Sequence, residues 1–505
     1  MARILFINPN RWGRGITTMW IPSHAAVLKA EGHNVRLFDC TFYRCWSQNE
    51  TKFNTENWQF KPTDYESQIK WNDNDIYDDF SKAVKEFNPD IIFWSAFSSH
   101  IHGEGEYSNI QHGHDLIKRS GECQNAIKIA GGLQPTASPE TMYSRFPEVD
   151  YFIRGESELV LLDLVVALGD PARFKKTPGL VFQEKGNLVM NDPQPTLDMS
   201  KLPLYDYSIF EDQVFLRPYR GQVVRCADYE LSRGCVFTCS YCVETVIQKY
   251  YGFETNSKGV LVNAKDYLRH KTARQVIGEI TTFYEQHKVT FIRCHDTNFL
   301  TINRDFLQEV ASFLDKGDLP INLYIETRPE GINSHTVELL KRLRVVGVAM
   351  GIELAADRLY FDNLNRFTST DRTVKAFKLL KDAGIGRTAY NVIGFPNQTE
   401  KMIIDTIELN RRLDPDTIVV AFFSPFLGTG QQAKGASTKE YREVEENLDS
   451  QLLTMSRSRS LKKSTLEFYM KYFNPLVKEG LDKMEEYKSD FFEKPESEAV
   501  SGRDK

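Results

Sequence analysis

The chain has 505 residues, 41% hydrophobic and 26% charged, with a formal net charge of -6, a composition that excludes extensive disorder and suits about three domains of ordinary size. No apolar run approaches the roughly 20 residues needed to cross a bilayer, and the opening MARILFINPNRWGRG turns polar too early for a secretory signal, so a cytoplasmic protein is expected. The mild negative charge gives no bulk attraction to nucleic acid, and the basic run RSRSLKK at 457–463 reads as the solvated face of a helix.

From Arg3 to about Leu168, the β-rich runs RILFIN, VRLFDC, DIIFWSA, IKIAGG and VDYFIRG alternate with helical segments such as HAAVLKAEG and DFSKAVKEF. Five strands with crossover helices predict a doubly wound, Rossmann-like parallel sheet over 1–170. Ligands of such sheets bind beyond the carboxyl ends of the strands, so the loops NPNRWGRGITT, SAFSSHIHGEG, GGLQPTASPE and RGESE are the ones to inspect. Over 171–225 the pattern breaks into a proline-rich linker with one hairpin, GLVFQEKGNLVMN, turning at Lys185-Gly186-Asn187. Alternation resumes with ADYELSR, VTFIRCHD, INLYIET, VVGVAMGIEL, TAYNVIGF and TIVVAFFSPF. Six such β/α repeats over 226–430 predict a partial (β/α)6 barrel with its chemistry at the carboxyl ends of the strands. The segment 431–505 reads as helical, ending in a disordered tail.

Cysteine supplies the sharpest signal. Eight cysteines in so long a chain do not make a disulfide framework, and Cys40, Cys45, Cys123, Cys226 and Cys294 are scattered like small buried hydrophobes. Cys235, Cys239 and Cys242 instead crowd into CVFTCSYC directly after the first barrel strand. Three thiolates can hold three irons of a four-iron four-sulfur cluster and leave the fourth open to a non-protein ligand. Spacings of four and three would also suit a buried helical stripe, which Gly234, Thr238 and Ser240 make unattractive. A zinc site would want a fourth ligand, and only Cys226 lies near in sequence.

The CxxxCxxC spacing in the setting SRGC resembles the signature of radical S-adenosylmethionine (radical SAM) enzymes, over about Cys226 to Gly430. That resemblance implies a 4Fe-4S cluster on Cys235, Cys239 and Cys242 that binds SAM and cleaves it to a 5′-deoxyadenosyl radical. It also implies SAM contacts: Tyr241 beside the adenine; Asp296, Thr297 and Asn298 in CHDTNF near the methionine amino group; Arg328 in IETRPE on the carboxylate; and Glu353 in MGIEL near the ribose. The turn SPFLGTG, with Pro425, Gly428 and Thr429, resembles the family's substrate-facing turn. At Arg328 and Glu353 a structural ion pair is the competing reading.

In the first domain, Gly13-Arg14-Gly15 after the first strand and Asp39 after the second fit a dinucleotide site weakly, because the third glycine position is Thr18. The order INPN, SAFSS, GGLQPT, RGESE resembles instead the cobalamin-binding domain found before many radical SAM domains. The resemblance makes Asn10, Ser95, Ser98, Gly131, Gly132, Gln134, Pro135, Thr136, Gly155 and Glu156 candidate cobalamin contacts. Gln134 stands where the family usually has histidine, and the segment from Asp39 to Arg44 lacks the histidine of cobalamin mutases, so a base-off cobalamin without a histidine ligand is expected.

Together these readings imply a cobalamin-dependent radical SAM enzyme, a methyltransferase acting on an unactivated carbon or phosphorus centre of a small molecule or lipid, with flavodoxin or ferredoxin as electron donor and no nucleic-acid partner. The alternatives are a cyclase, ring-contracting or oxidising enzyme using the same cofactors, a radical SAM methylthiolating enzyme without cobalamin, and a non-catalytic iron-sulfur or cobalamin carrier. Methylthiolation would call for a second cysteine cluster and a nucleic-acid-binding tail, and neither is evident.

Overall fold

The computed structural model describes residues 1–95, 110–256, 259–317, 319–355, 364–366, 368–423, 426–431 and 461–492. The first sheet contains β1 (Arg3–Asn8), β2 (Asn34–Asp39), β3 (Ile91–Ser95), β4 (Ile127–Gly131), β5 (Tyr151–Ile153), β6 (Leu180–Glu184) and β7 (Asn187–Met190). Its order is β2-β1-β3-β4-β5-β6-β7, with β1 to β5 parallel. Every residue of β3, IIFWS, is buried, as expected of a central parallel strand covered on both faces. Helices 20–30 and 158–166 pack on one face, and helices 76–87 and 110–119 on the other.

The hairpin at 180–190 is present, but β6 pairs antiparallel with β5 and extends the first sheet. Its two-residue turn has both Lys185 (φ 53°) and Gly186 (φ 81°) left-handed, the geometry that matches strand twist. The hairpin covers an edge of β5 that would otherwise present unpaired backbone groups.

The second sheet starts with a strand that the sequence pattern hides. β8 (Leu216–Tyr219) turns through Arg220 and Gly221 into β9 (Gln222–Tyr229) and pairs with it antiparallel. After the short pair β10 (Ser232–Arg233) and β11 (Arg269–His270) come β12 (Phe291–Cys294), β13 (Asn322–Thr327), β14 (Val345–Glu353), β15 (Gly386–Ile393) and β16 (Thr417–Phe422). The order β16-β15-β14-β13-β12-β9-β8 contains the six expected parallel strands in sequence order, a partial barrel.

The two outer strands of this sheet are β8 and β16. At the amino-terminal end of the sheet, Arg220 pairs with Asp416 at 3.5 Å. Along β16, Gln59 of the first domain binds the Val420 backbone twice, accepting from its N–H at 3.0 Å and donating to its carbonyl at 3.1 Å. Helix 463–479 packs over the same strand, and its Asn474 donates to the Ile418 carbonyl at 3.1 Å. One hydrophobic core runs through both sheets, joining Phe6 and Phe93 to Ile292, Ile325 and Val348. Among the described residues, no helix is long and apolar enough to cross a membrane.

Candidate active site

The three cysteines lie in the loop between β10 and helix 244–250, at the carboxyl end of the barrel; Cys235 and Cys239 are buried and Cys242 half-buried. Side chains from elsewhere pin the loop. Gln248 donates to the Cys235 carbonyl at 2.9 Å and the Phe237 carbonyl at 3.1 Å, Asn365 donates to the Thr238 carbonyl at 2.8 Å, and Gln431 donates to the Ser240 hydroxyl at 2.8 Å. Gly234 is left-handed at φ 101°, and a Cβ there would lie 2.6 Å from the Tyr267 carbonyl oxygen, so the approach requires glycine.

Burial, with help from the carboxylate of Glu244, pushes the Cys235 thiol up to about 12. Burial and then the neighbouring Cys239 push Cys242 up as well. A bare thiolate is therefore disfavoured in this loop, while a cationic iron centre would favour one. Among the described residues, no three His, Cys, Asp or Glu side chains are grouped to hold a single metal ion, whereas a four-iron cluster takes one thiolate per iron. The donor set fits such a cluster.

Arg328 lies directly beneath the loop. Its guanidinium donates to the Cys239 sulfur at 3.3 Å, stacks on the Phe237 ring at 3.9 Å, and pairs with Glu330 at 2.6 Å. The expected SAM-carboxylate contact is thus a cation already paired with Glu330 and placed to steady the cysteine environment.

Glu353 ends β14 at φ 64°, a left-handed conformation rarely taken by a long side chain. Its Oε1 accepts from the Tyr241 hydroxyl at 3.2 Å and pairs with Arg366 at 3.6 Å, and Arg366 also donates to the Tyr241 oxygen at 3.2 Å. The Tyr241 ring meets Phe395 edge-on at 5.7 Å. The structure therefore joins Tyr241 and Glu353, two residues that sequence reasoning placed on different parts of SAM, into one polar corner.

The CHDTNF stretch has another use. Asp296 is 1% exposed, and its carboxylate accepts from the Leu231 and Ser232 backbone N–H groups and the Ser232 hydroxyl. Burial raises it to about 7 against the pull of those donors. This contrasts with the expected contact to the SAM amino group: Asp296 holds the turn that leads to the cysteines. Asn298 accepts from the Thr327 hydroxyl at 2.7 Å, and Thr297 between them is half-buried. His295 shares Asp228 at 2.8 Å with Arg217 and with the Thr17 backbone N–H at 2.9 Å, tying the loop after β1 to β9.

A cavity of about 1220 Å³ fills the barrel. Its wall includes Tyr241, Glu353, Phe395 and Phe426 at the carboxyl end, Tyr324 and Tyr390 inside, and Tyr219 and Asp416 at the amino end. It also reaches Trp12 and Arg14 in the loop after β1. In the order 2-1-3-4-5, the crevice between β1 and β3 is the switch point where such sheets bind ligands.

In the first domain, the structure redistributes several expected contacts. Glu156 is buried, with its carboxylate taken by Arg233 at 3.0 Å, Arg269 at 2.6 Å and the Leu197 N–H at 2.8 Å; it is an anchor between domains, where sequence reasoning expected a cofactor contact. Gly155 is left-handed, and a Cβ there would meet the Tyr251 hydroxyl at 2.5 Å, so its small size admits the barrel. Thr136 accepts from the Gly155 N–H at 2.8 Å and donates to the Gly132 carbonyl at 2.6 Å. Asn10 is fully buried, donating to the Thr41 hydroxyl at 3.0 Å and accepting from the Trp12 N–H at 2.9 Å, which shapes its own loop.

Ser95 and Gly131 end β3 and β4. Gly132 follows at φ 111°, ψ -158°, a region open almost only to glycine. Pro135 is buried beside it, and the Gln134 side chain accepts from the Ile110 N–H at 3.4 Å. Ser98 and Pro425 lie outside the described residues. Gly428 packs a would-be Cβ distance of 3.3 Å from Ala137 and Val246, and Thr429 donates to the Phe426 carbonyl at 2.8 Å. Sequence reasoning missed Arg233, Arg366 and Gln59; a lone arginine or glutamine carries no local pattern, and most of their partners are distant in the chain.

The pattern of the Radical SAM superfamily matches residues 229–409, the segment that carries the cysteine loop and most of the barrel. An uncharacterized methyltransferase of Pyrococcus horikoshii is 25% identical over 354 residues, 70% of this chain and 71% of that protein. The anaerobic magnesium-protoporphyrin IX monomethyl ester cyclase of Cereibacter sphaeroides is 26% identical over 437 residues; 84% of this chain is covered, but only 62% of the cyclase. Among solved structures, the radical S-adenosylmethionine methyltransferase TsrM from Kitasatospora setae, with cobalamin and a 4Fe-4S cluster bound, superposes with a TM-score of 0.64 at 16% identity, covering 86% of this chain and 75% of its own. The two share the fold.

Proposed function

We propose, on the premise that this chain belongs to the radical SAM superfamily, that it is a cobalamin-dependent methyltransferase acting on an unactivated carbon or phosphorus centre. The observation that carries this reading is the single cavity that runs from the corner formed by Tyr241 and Glu353 to Trp12 and Arg14 at the switch point of the first sheet. When bound, the cluster with SAM supplies a 5′-deoxyadenosyl radical and cobalamin supplies a methyl group. Cys235, Cys239 and Cys242 would hold the cluster, while Ser95, Gly131, Gly132, Gln134 and Pro135, at and just after the ends of β3 and β4, would meet cobalamin.

The protein's own part is positional. Tyr241 and Arg366 orient Glu353 toward the cavity, where it can accept hydroxyl donors of a nucleoside. The aromatic part of the lining, Tyr324, Tyr390, Phe395 and Phe423, would limit the water around a reactive radical. Arg328 balances thiolate charge at Cys239. The relatives named a methyltransferase and a methyltransferase structure agree with this reading. A flavodoxin or ferredoxin would serve as reductant, in the cytoplasm.

The test is anaerobic turnover of reconstituted protein with a low-potential reductant, SAM and cobalamin. Methylation is expected to give S-adenosylhomocysteine and 5′-deoxyadenosine in a ratio near one to one as substrate is consumed. The Cys235/Cys239/Cys242→Ala triple variant is expected to lose its iron and both products. Turnover that forms 5′-deoxyadenosine without S-adenosylhomocysteine would exclude methylation and indicate cyclisation.

A further inference from the structure

The barrel cavity is longer than a small polar substrate needs. Its wall follows β16 from Thr417 to Ala421 and on to Phe423, which at about 3.3 Å per residue is roughly 20 Å. Its volume of about 1220 Å³ exceeds the roughly 300–1,000 Å³ of an ordinary small-molecule pocket. Phe291, Tyr324, Tyr390, Phe395 and Phe423 give the interior an aromatic wall, with Arg217, Arg293, Thr388, Asn391 and Asn410 as its polar groups. The side of the cavity between β16 and helix 463–479 is finished by first-domain residues 54–63.

Trp58 sits on that rim in an unusual state. It is 62% exposed while lining the cavity, and its φ is 59°, a conformation in which a bulky residue is an outlier. The backbone around it is fixed from three sides. The Gln59 and Phe60 N–H groups donate to the Asn54 carbonyl at 2.8 and 3.1 Å, Gln59 is locked to Val420 of β16, and Asn474 donates to the Trp58 carbonyl at 2.9 Å. Glycine or asparagine would serve such a turn with less strain. The exposed indole carried by this fixed backbone gives an apolar face beside the opening.

We propose that the substrate is an elongated amphiphile with a planar or polycyclic apolar body that enters through the side of the barrel, and that Trp58 is the specificity-determining residue that stacks on its outer part. This rests on the barrel chemistry proposed above and names the substrate class of that site. The inner end of the substrate reaches the corner formed by Tyr241 and Glu353, and its body contacts the aromatic wall. Its outer end meets the rim, where Lys61 and Lys478 lie with Glu56 and Glu479, a setting for a polar tail of either sign.

The experiment titrates 1-pyrenebutyrate, a planar polycycle with a carboxylate tail, into the anaerobically reconstituted full chain and follows pyrene fluorescence. Saturable one-to-one binding is expected. Trp58→Gly and Trp58→Asn, which both suit the left-handed turn, are expected to weaken it about tenfold, and Trp58→Phe less than threefold. Iron content and Tm should match the parent protein in all three. Unchanged affinity in the Gly and Asn variants overturns the proposal, as does a parent protein that does not bind the probe. The titration needs neither SAM nor reductant, so its failure is distinguishable from failure of the radical chemistry, which product analysis reads separately.

Discussion

The carboxyl ends of the two parallel sheets put similar loops to opposite uses. After β9 in the barrel, the cysteine loop is held by its carbonyls, through Gln248 and Asn365, and by the Ser240 hydroxyl, through Gln431, which leaves the thiols for a cluster. After β1, β4 and β5 in the first sheet, side chains that looked like ligand contacts are engaged by protein. Asn10 shapes its own loop, Thr136 caps Gly155, and Glu156 is shared by two arginines of the barrel domain. A polar motif at a strand end therefore marks either a ligand or a neighbouring domain, and the difference lies in whether its side chains already have partners.

The sharpest way to break this comparison is to remove the cation at the centre of the seam. Arg233 reaches Glu156 at 3.0 Å, Glu158 at 2.6 Å and Glu230 at 2.7 Å, all buried. Although burial alone would raise Glu158, Arg233 holds that carboxyl well below the usual range. Arg233→Met leaves these carboxylates without their shared partner, and removing one side of a buried ion pair costs about 3–5 kcal/mol. A fall in Tm of several degrees or more is expected by thermal denaturation. A variant within about 1 °C of the parent would show that the seam is not held by this network.

The barrel was legible because its signals are periodic and local. Six apolar runs such as VVGVAMGIEL alternate with amphipathic helices, and the cysteine spacing lies within eight residues. β8, LRPY, was hidden because four residues with a proline carry no period, and it forms only by pairing with β9. The use of Asp296 was hidden for another reason. Its partners Leu231 and Ser232 are more than sixty residues earlier, so sequence showed an acid at a strand end and not what surrounds it. The hairpin at 180–190 was visible by its turn, but its membership of the first sheet depends on the unpaired edge of β5, a property of the assembled sheet.

Asp296 gives the next test, through pH. Burial raises it from 3.8 to about 7 in the folded chain. Between about pH 4 and 7 the folded state therefore keeps a proton that the unfolded state has released, and stability falls as pH rises through that window, with the cost complete above about 7. Asp296→Asn keeps an acceptor oxygen for the Ser232 N–H and removes the titration. The Tm difference between pH 5 and pH 7.5 should be smaller in the variant than in the parent, by an amount corresponding to a cost on the order of 2 kcal/mol. An unchanged pH dependence would mean that Asp296 titrates normally and that the turn before the cysteines tolerates its charge.

The smallest effect is expected at the rim of the same seam. Lys29 of the first domain pairs with Asp206 of the linker at 2.6 Å, but the two side chains are 37% and 23% exposed. Asp206 also accepts from the Ser208 N–H at 3.1 Å, and its own N–H donates to the Pro22 carbonyl at 3.0 Å, so the linker stays docked without the lysine. Water and salt screen such a pair, which is worth at most about 1 kcal/mol. Lys29→Ala should lower Tm slightly in dilute buffer, and the difference should shrink at high salt, whereas the loss in Arg233→Met should persist because its carboxylates are shielded from ions. A rim variant as destabilised as the buried one, at every salt concentration, would place the strength of the seam at its edge and reverse the reading of Glu156 as its anchor.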